Sequence, residues 1–159
     1  MRSPVVLTVS AALSASFLAC ATPAATPPAQ SVFTNPPGLA KPNGFTHLVE
    51  VQPGRLLYVA GQVARDENGN IVGRGDMRAQ AEQIFKNIQT ALASRGATLA
   101  DMVELTCYIK DMSQIAAYRE VRERVLGSNP RPASTLVEVK GFSSEDFLLE
   151  VDAVAAPRH

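Results

Sequence analysis

Hydrophobic and polar residues alternate along three segments of the C-terminal half, at 103–110, 132–139 and 147–155. A period of two is typical of strands with one buried face. In the first segment one face carries Val103, Leu105, Cys107 and Ile109. Two earlier segments, 47–51 and 56–63, are also predicted strands. Pro53-Gly54 forms a turn between them, and a short strand is expected at 71–72.

Two other segments repeat their apolar residues every three or four positions, which predicts helices. The first follows Asp76, a favourable N-cap, and ends before Gly96. Its apolar side holds Met77, Ala81, Ile84, Phe85, Ile88, Ala91 and Leu92. The second runs from about 113 to 126 and is closed by Gly127. Its predicted inner side holds Ile115, Ala116, Val121 and Val125, with Tyr118 at the margin.

The order of these elements is β-β-(β)-α-β-α-β-β, without an internal repeat. This order predicts an α+β fold in which two helices pack on one face of a mixed sheet. The other sheet face mixes polar and small apolar residues. Such a face suits contact with another subunit better than contact with water.

The N-terminus has the features of an export signal. Arg2 precedes an uncharged apolar run at 5–18, which is shorter than the roughly 20 residues of a membrane-spanning helix. Residues 17–20 resemble a bacterial lipobox, so Cys20 is a candidate lipid anchor; ordinary cleavage after the Ala-x-Ala at 19–21 is the alternative. We therefore predict a signal peptide at 1–20, a Pro/Ala-rich tether at 21–42 and one domain at 43–157. The protein is expected in the bacterial periplasm, free or membrane-anchored as a lipoprotein.

Charge and cysteine content narrow the function. Lys+Arg and Asp+Glu both number 15, and no basic run with interleaved aromatics occurs, which argues against a nucleic-acid partner. Within the predicted domain Cys107 is the single cysteine, and its apolar neighbours indicate a core residue more than a reactive thiol. Nothing in the sequence implies a metal site or an organic cofactor.

An ordered set of short motifs spans 44–155 and resembles the RidA/YjgF family. The matching pieces are Tyr58-Val59-Ala60-Gly61-Gln62, Gly75-Asp76 with Gln80 and Asn87, Gly96-Ala97, Asp101-Met102-Val103, Asp111-Met112, Pro132-Ala133 and Glu150. The resemblance implies a chorismate-mutase-like fold, a homotrimer, and clefts for a small-molecule ligand between neighbouring subunits.

The resemblance also implies site residues. In the deaminase branch of the family an arginine binds the carboxylate of a 2-imino acid, and a glutamate helps to hold the attacking water. Glu150 retains the glutamate and is the candidate catalytic residue. The arginine position holds Ser134, whose hydroxyl cannot replace a bidentate guanidinium. Ala60 stands where a serine is usual, and Phe45 where a tyrosine is usual.

Other residues join Ser134, Ala60 and Phe45 as candidates for substrate binding. His47 is a possible donor or proton shuttle, or else a surface residue of an edge strand. Arg119 and Arg122 either reach a cleft or belong to a solvated helix face. Asp152 shares the strand face of Glu150.

Two functions remain open at this point. One is hydrolysis of a small imine or enamine with altered specificity. The alternative is a non-catalytic small-molecule-binding or protective interaction module of the cell envelope. Reactive 2-imino acids arise mainly in the cytosol, so export favours another substrate or pure binding.

Overall fold

A six-stranded α+β architecture is seen in the computed structural model, which describes residues 31–52 and 54–157. Strands β1 (Ser31–Thr34) and β2 (Leu48–Val51) pair with each other in antiparallel fashion. The main sheet contains β3 (Leu57–Gln62), β4 (Met102–Ile109), β5 (Ala133–Glu138) and β6 (Leu149–Ala155). Its strand order is β3-β6-β4-β5, with β4 and β5 parallel and the other two pairs antiparallel.

Two helices, α1 (Met77–Ala93) and α2 (Ile115–Leu126), cover one face of this sheet. Short 3-10 turns at Leu99–Asp101 and Met112–Gln114 lead into β4 and α2. The side chain of Asp76 accepts hydrogen bonds from the amides of Arg78 and Ala79, as the N-cap prediction required. The predicted α+β fold with a mixed sheet and two helices on one face is confirmed.

The core lies between the helices and the sheet. Strand residues at alternate positions, including Leu105, Cys107, Val151 and Ala153, face the helices and are buried. Burial of Cys107 confirms its predicted role as a core residue. The opposite sheet face, which we call the open face, is not covered by a helix. Tyr58 on this face has 77% of its surface exposed to solvent.

Gln80 is a buried polar residue of α1 that links the helix to the chain before β6. Its amide nitrogen donates to the carbonyl oxygens of Gly73 (3.1 Å) and Asp146 (2.6 Å). Its amide oxygen accepts from the backbone of Leu148 at 2.9 Å. These bonds satisfy the buried amide and fix the entry to β6.

The structure differs from the sequence prediction in several places. Strand β1 lies inside the segment predicted as a tether, and the strand expected at 71–72 is only an isolated bridge between Arg65 and Ile71. On α2, Ala116 is exposed whereas Arg122 is buried. The buried stripe of this helix is Tyr118, Val121, Arg122 and Leu126. This is an i, i+3, i+4, i+8 spacing, which rotates the inner face away from Ala116.

The predicted signal segment, Cys20 and residues 21–30 lie outside the described residues. Within 31–52 and 54–157, no helix is both long and apolar enough to cross a bilayer.

Candidate functional site

Glu150 lies at a break in the pairing of β3 with β6. The ladder runs regularly from Leu57 to Val59 and resumes at Gln62, so Ala60 and Gly61 form a bulge. Such bulges are common beside active sites because they redirect side chains. The half-buried carboxylate of Glu150 lies against Gly61, and a Cβ atom at Gly61 would overlap its Oε1. The bulge and the glycine together make the space that this carboxylate occupies.

A second carboxylate and a phenol lie beside Glu150 on the open face. Glu150 is opposite Tyr108 in the ladder, and Asp152 is opposite Thr106. The Tyr108 hydroxyl donates to Oδ2 of Asp152 at 3.4 Å, a long hydrogen bond. The charge of Asp152, with help from partial burial, raises the pKa of Tyr108. None of the ion pairs between described residues involves Glu150, so its carboxylate is available to a ligand or water.

Ser134 lies on the other face of the sheet. It is opposite Leu105 in the β4–β5 ladder, whereas Glu150 is opposite Tyr108. Because positions 105 and 108 differ by an odd number, their side chains point to opposite faces. A single chain therefore does not bring Ser134 and Glu150 together.

The neighbours of Ser134 belong to the core. The Sγ of Cys107 is 2.6 Å from the Oη of buried Tyr118. Burial raises the pKa of Cys107 to about 11, although Tyr118 and the nearby Ser134 hydroxyl act in the opposite direction. Burial likewise raises the pKa of Tyr118. Tyr118 stacks on Phe85 with 6.5 Å between ring centroids, so it is a packing residue of the core.

Phe45 and His47 lie near the start of β5. Between them, the amide of Thr46 donates to the carbonyl of Pro132 at 3.1 Å. The two rings meet edge to face with centroids 5.1 Å apart. Nε2 of His47 is 2.8 Å from the carbonyl oxygen of Ala40, which can only accept. Nε2 therefore carries the proton, and the ring is held against the segment before it.

The arginines on α2 and just before β5 differ in their exposure and in their ion pairs. Arg119 is exposed on α2. Arg122 has a side chain only 7% exposed, places its guanidinium 5.8 Å from the Tyr118 ring centroid and pairs with Glu123 at 2.9 Å. Arg131 binds the same Glu123 at 2.5 Å. Arg131 was not among the residues predicted from the sequence. It lies three residues before Ser134, so a search for a cation that could replace the family arginine at position 134 would have found it.

The sequence candidates thus form two groups. Glu150, Ala60 and Asp152 lie on or beside the open face, whereas Ser134, Phe45 and His47 lie towards the start of β5 and the end of α2. Arg119 joins neither group through any hydrogen bond between described residues. Among residues 31–52 and 54–157, no three His, Cys, Asp or Glu side chains are grouped as a metal site.

Known proteins provide an independent comparison. Residues 39–157 match the family model described as Endoribonuclease L-PSP. A RutC family protein of Pyrococcus horikoshii is 33% identical over 105 residues, which cover 66% of this chain and 82% of that protein. A 2-iminobutanoate/2-iminopropanoate deaminase of Dermatophagoides farinae is 29% identical over 89 residues, 56% of this chain and 69% of that enzyme.

Solved structures agree with this match. A conserved Rid family protein of unknown function from Yersinia pestis, YyfB, superimposes with a TM-score of 0.72 at 34% identity. The match covers 79% of this chain and 98% of that protein. The chain therefore belongs to the RidA/YjgF family, the group to which the Endoribonuclease L-PSP model corresponds, and some of its relatives are imine deaminases.

Proposed function

We propose that this protein hydrolyses a small imine or enamine in a cleft between subunits, with Glu150 positioning the attacking water. The observation that carries the proposal is the carboxylate of Glu150 in the space left by Gly61, at a bulge and outside any ion pair of the described residues. The deaminase named among the relatives supports the reaction class. A homotrimer formed through the open face would place Glu150 at the boundary between two subunits.

To catalyse imine hydrolysis, the protein mainly needs to orient the substrate and the water and to transfer protons. Glu150 accepts a proton from water as the water oxygen bonds to the carbon of the protonated imine, and the electron pair of the C=N bond moves to nitrogen, which gives the neutral carbinolamine. The carbinolamine then collapses: Glu150 returns its proton to nitrogen, the C–N bond breaks, and the hydroxyl proton passes to the departing ammonia as the carbonyl forms. The net change is protonated imine plus water to carbonyl compound plus ammonium, with no redox step.

Substrate recognition differs from that of the deaminase branch. Ser134 lies beside Cys107 on the helix-covered face and offers a hydroxyl instead of a guanidinium. Phe45 and His47 supply an aromatic wall and an Nδ1 acceptor on the ring whose Nε2 is already used. We propose that these residues, with Ala60 and Arg119, contact substrates other than the common 2-imino acids.

The test is competition with semicarbazone formation. Imines are generated from several amino acids by an amino-acid oxidase, and the purified chain is added. We expect suppression of the semicarbazone signal, and its loss in Glu150→Gln. Glu82→Gln is the matched control because Glu82 is an exposed carboxylate of α1 paired with Arg124. Equal suppression by wild type and Glu150→Gln would refute the role of Glu150.

A non-catalytic binding module is the second candidate, and the serine at the arginine position favours it. In this case Glu150→Gln would leave ligand binding and every measured rate unchanged. A panel of small metabolites that raises the melting temperature by mass action without being consumed would support this function. No shift and no turnover across the panel would instead favour a protective interaction protein.

We further propose that the chain is exported and anchored through Cys20. Acylation of this residue would convert a free periplasmic domain into a membrane-bound one. Cell fractionation of wild type and Cys20→Ser distinguishes the two cases: the anchor predicts that wild type sediments with membranes and that Cys20→Ser is released. Equal release of both would leave ordinary signal cleavage at 19–21.

A further inference from the structure

Strand β3 lies at the edge of the main sheet, and within residues 31–52 and 54–157 no strand pairs with its outer side. In an antiparallel pair every second residue directs its N–H and C=O away from the partner strand. Apart from the pairing with β6, the backbone of β3 makes one hydrogen bond with described residues, from Nε2 of Gln62 to the carbonyl oxygen of Ala60 at 2.9 Å. The outer edge of β3 therefore offers backbone donors and acceptors to another extended chain.

Two adjoining cavities, of about 500 and 610 Å³, run along this edge. The consecutive residues 56–60 line the first cavity, and 61–63 line the second. Successive strand residues point to opposite faces of a sheet, so a cavity that touches all of them lies along the edge of the strand. Helix α1 forms the other wall, and both cavities share Gln62 and Ala91. We call this trough between 56–63 and α1 the edge groove; it has room for roughly seven or eight extended residues.

The charged side chains of the edge groove favour an acidic partner. Lys86 and Arg95 line the groove, are exposed on α1 or just after it, and make no ion pair with a described residue. Exposed Arg55 adds a positive charge beside them, because its Nη2 donates to the carbonyl oxygen of Arg95 at 2.9 Å. The acids of the lining, Asp66 and Glu67, come after the edge groove along the chain. Opposite charges across an interface steer and orient a partner.

The two sides of the edge groove differ in character. On the α1 side the groove presents Lys86 and Arg95. On the open-face side Leu56 and Tyr58 are large apolar residues, 40% and 77% exposed. Alternate side chains of an added strand would point to these two sides. A segment with acidic residues at every second position and apolar residues between them would match both.

We propose that the edge groove binds an extended acidic segment of another protein, which adds to β3 as a further strand. The chain's own segment 21–30 fits less well, because it has no acidic residue and its three prolines lack the N–H that strand pairing needs. A second copy paired through β3 would bring Lys86 and Arg95 of both chains together, and like charges at an interface are unfavourable. The inference goes beyond the proposed function, since Glu150 lines neither cavity.

The test is fluorescence anisotropy of labelled peptides titrated with the purified full-length chain. The acidic probe has about eight residues, the length of the groove, and alternates glutamate with valine. The second probe has lysine in place of each glutamate, and the third keeps the acidic sequence but is N-methylated at every backbone amide. We expect saturable binding of the acidic probe alone, weakened by added salt, because the second probe is repelled and the third cannot donate to β3. Hydrogen exchange should show protection of β3 and not of β5, the other edge strand.

Variants of the edge groove test the charge argument. Lys86→Glu and Arg95→Glu should each weaken binding of the acidic probe roughly three- to tenfold, since an attractive charge becomes a repulsive one. Lys140→Glu is the matched control, because it makes the same change at an exposed position between β5 and β6, and it should bind like wild type.

Several outcomes would overturn the inference. These are no binding of the acidic probe, equal binding of either altered probe, unchanged affinity in both charge-reversal variants, or protection of β5 instead of β3. Protection of β3 that rises with protein concentration without any peptide would also overturn it, because a second copy would then occupy the edge. The comparison of probes on wild type needs no variant, so it decides even if a variant does not fold.

Discussion

Replacing Gly61 with alanine tests whether the position of Glu150 matters. In the structure the carboxylate of Glu150 fills the space beside Gly61, and a Cβ there would overlap Oε1. Gly61→Ala therefore cannot coexist with the observed position of that carboxylate. The contacting atom is the far end of a flexible side chain, so we expect Glu150 to rotate away and the strand to stay in place.

Gly61→Ala should change the unfolding free energy little but lower the turnover rate strongly. Moving Glu150 off its rotamer costs about 0.5–1.5 kcal/mol. Alanine also restricts the unfolded chain more than glycine does, which returns about 0.4–1 kcal/mol. The net change in unfolding free energy should stay within about 1 kcal/mol of zero. By contrast, a displacement of roughly 1 Å in a group that positions water lowers the rate about a hundredfold.

The assay combines urea unfolding with imine turnover. We expect Gly61→Ala to fold with near wild-type stability and to lose most of its turnover. In a Glu150→Gln background the same substitution should cause no further loss, because both changes remove one function. Full turnover in Gly61→Ala would refute the reasoning. So would a loss that simply adds to that of Glu150→Gln.

Three further predictions concern stability. Folding favours the neutral Cys107 thiol, because the unfolded thiol has its usual pKa of 9.0 and the buried thiol has a pKa of about 11. The resulting contribution of about 2–3 kcal/mol to the unfolding free energy should be complete below pH 9 and lost towards pH 11. Denaturant titrations of Cys107→Ala should lack this decline. Gln80→Ala leaves buried backbone groups unsatisfied and should lower the unfolding free energy, measured in urea, by about 2–4 kcal/mol. The control Gln89→Ala, at an exposed position of the same helix, should lower it by under about 0.5 kcal/mol. A similar loss in both variants would contradict this role of Gln80. Asp76→Ala should lower the unfolding free energy by about 1 kcal/mol through loss of the N-cap, and an unchanged midpoint in urea would show that the cap contributes nothing.

The regular elements could be read from the sequence because their periodicity is local. The alternation at 103–110 and the spacing after Asp76 correspond to β4 and α1. The sequence did not predict strand β1 because this strand has only four residues in a proline-rich context, and its partner β2 begins 14 residues after β1 ends. Long-range pairing of this kind leaves no periodic signal in either segment.

The site was harder to predict because it depends on tertiary contacts. Glu150 was identified through family resemblance, yet the bulge at Ala60 and Gly61 that makes room for it follows from the pairing with β6. Arg122 looked like part of a charged helix face, but Glu123, Tyr118 and the backbone of Gly44 surround it in the fold. The separation of Ser134 and Glu150 onto opposite sheet faces became visible only from the register of three strands.

Whether the protein hydrolyses imines with a serine at position 134 is decided by comparing wild type with Ser134→Arg in the semicarbazone competition. Circular dichroism first establishes that both proteins are folded. We expect wild type, which has no arginine at position 134, to suppress the semicarbazone signal from at least one imine. Contradiction would come from a folded wild type that suppresses no signal while Ser134→Arg gains activity, because the serine would then mark a cleft that does not hydrolyse imines.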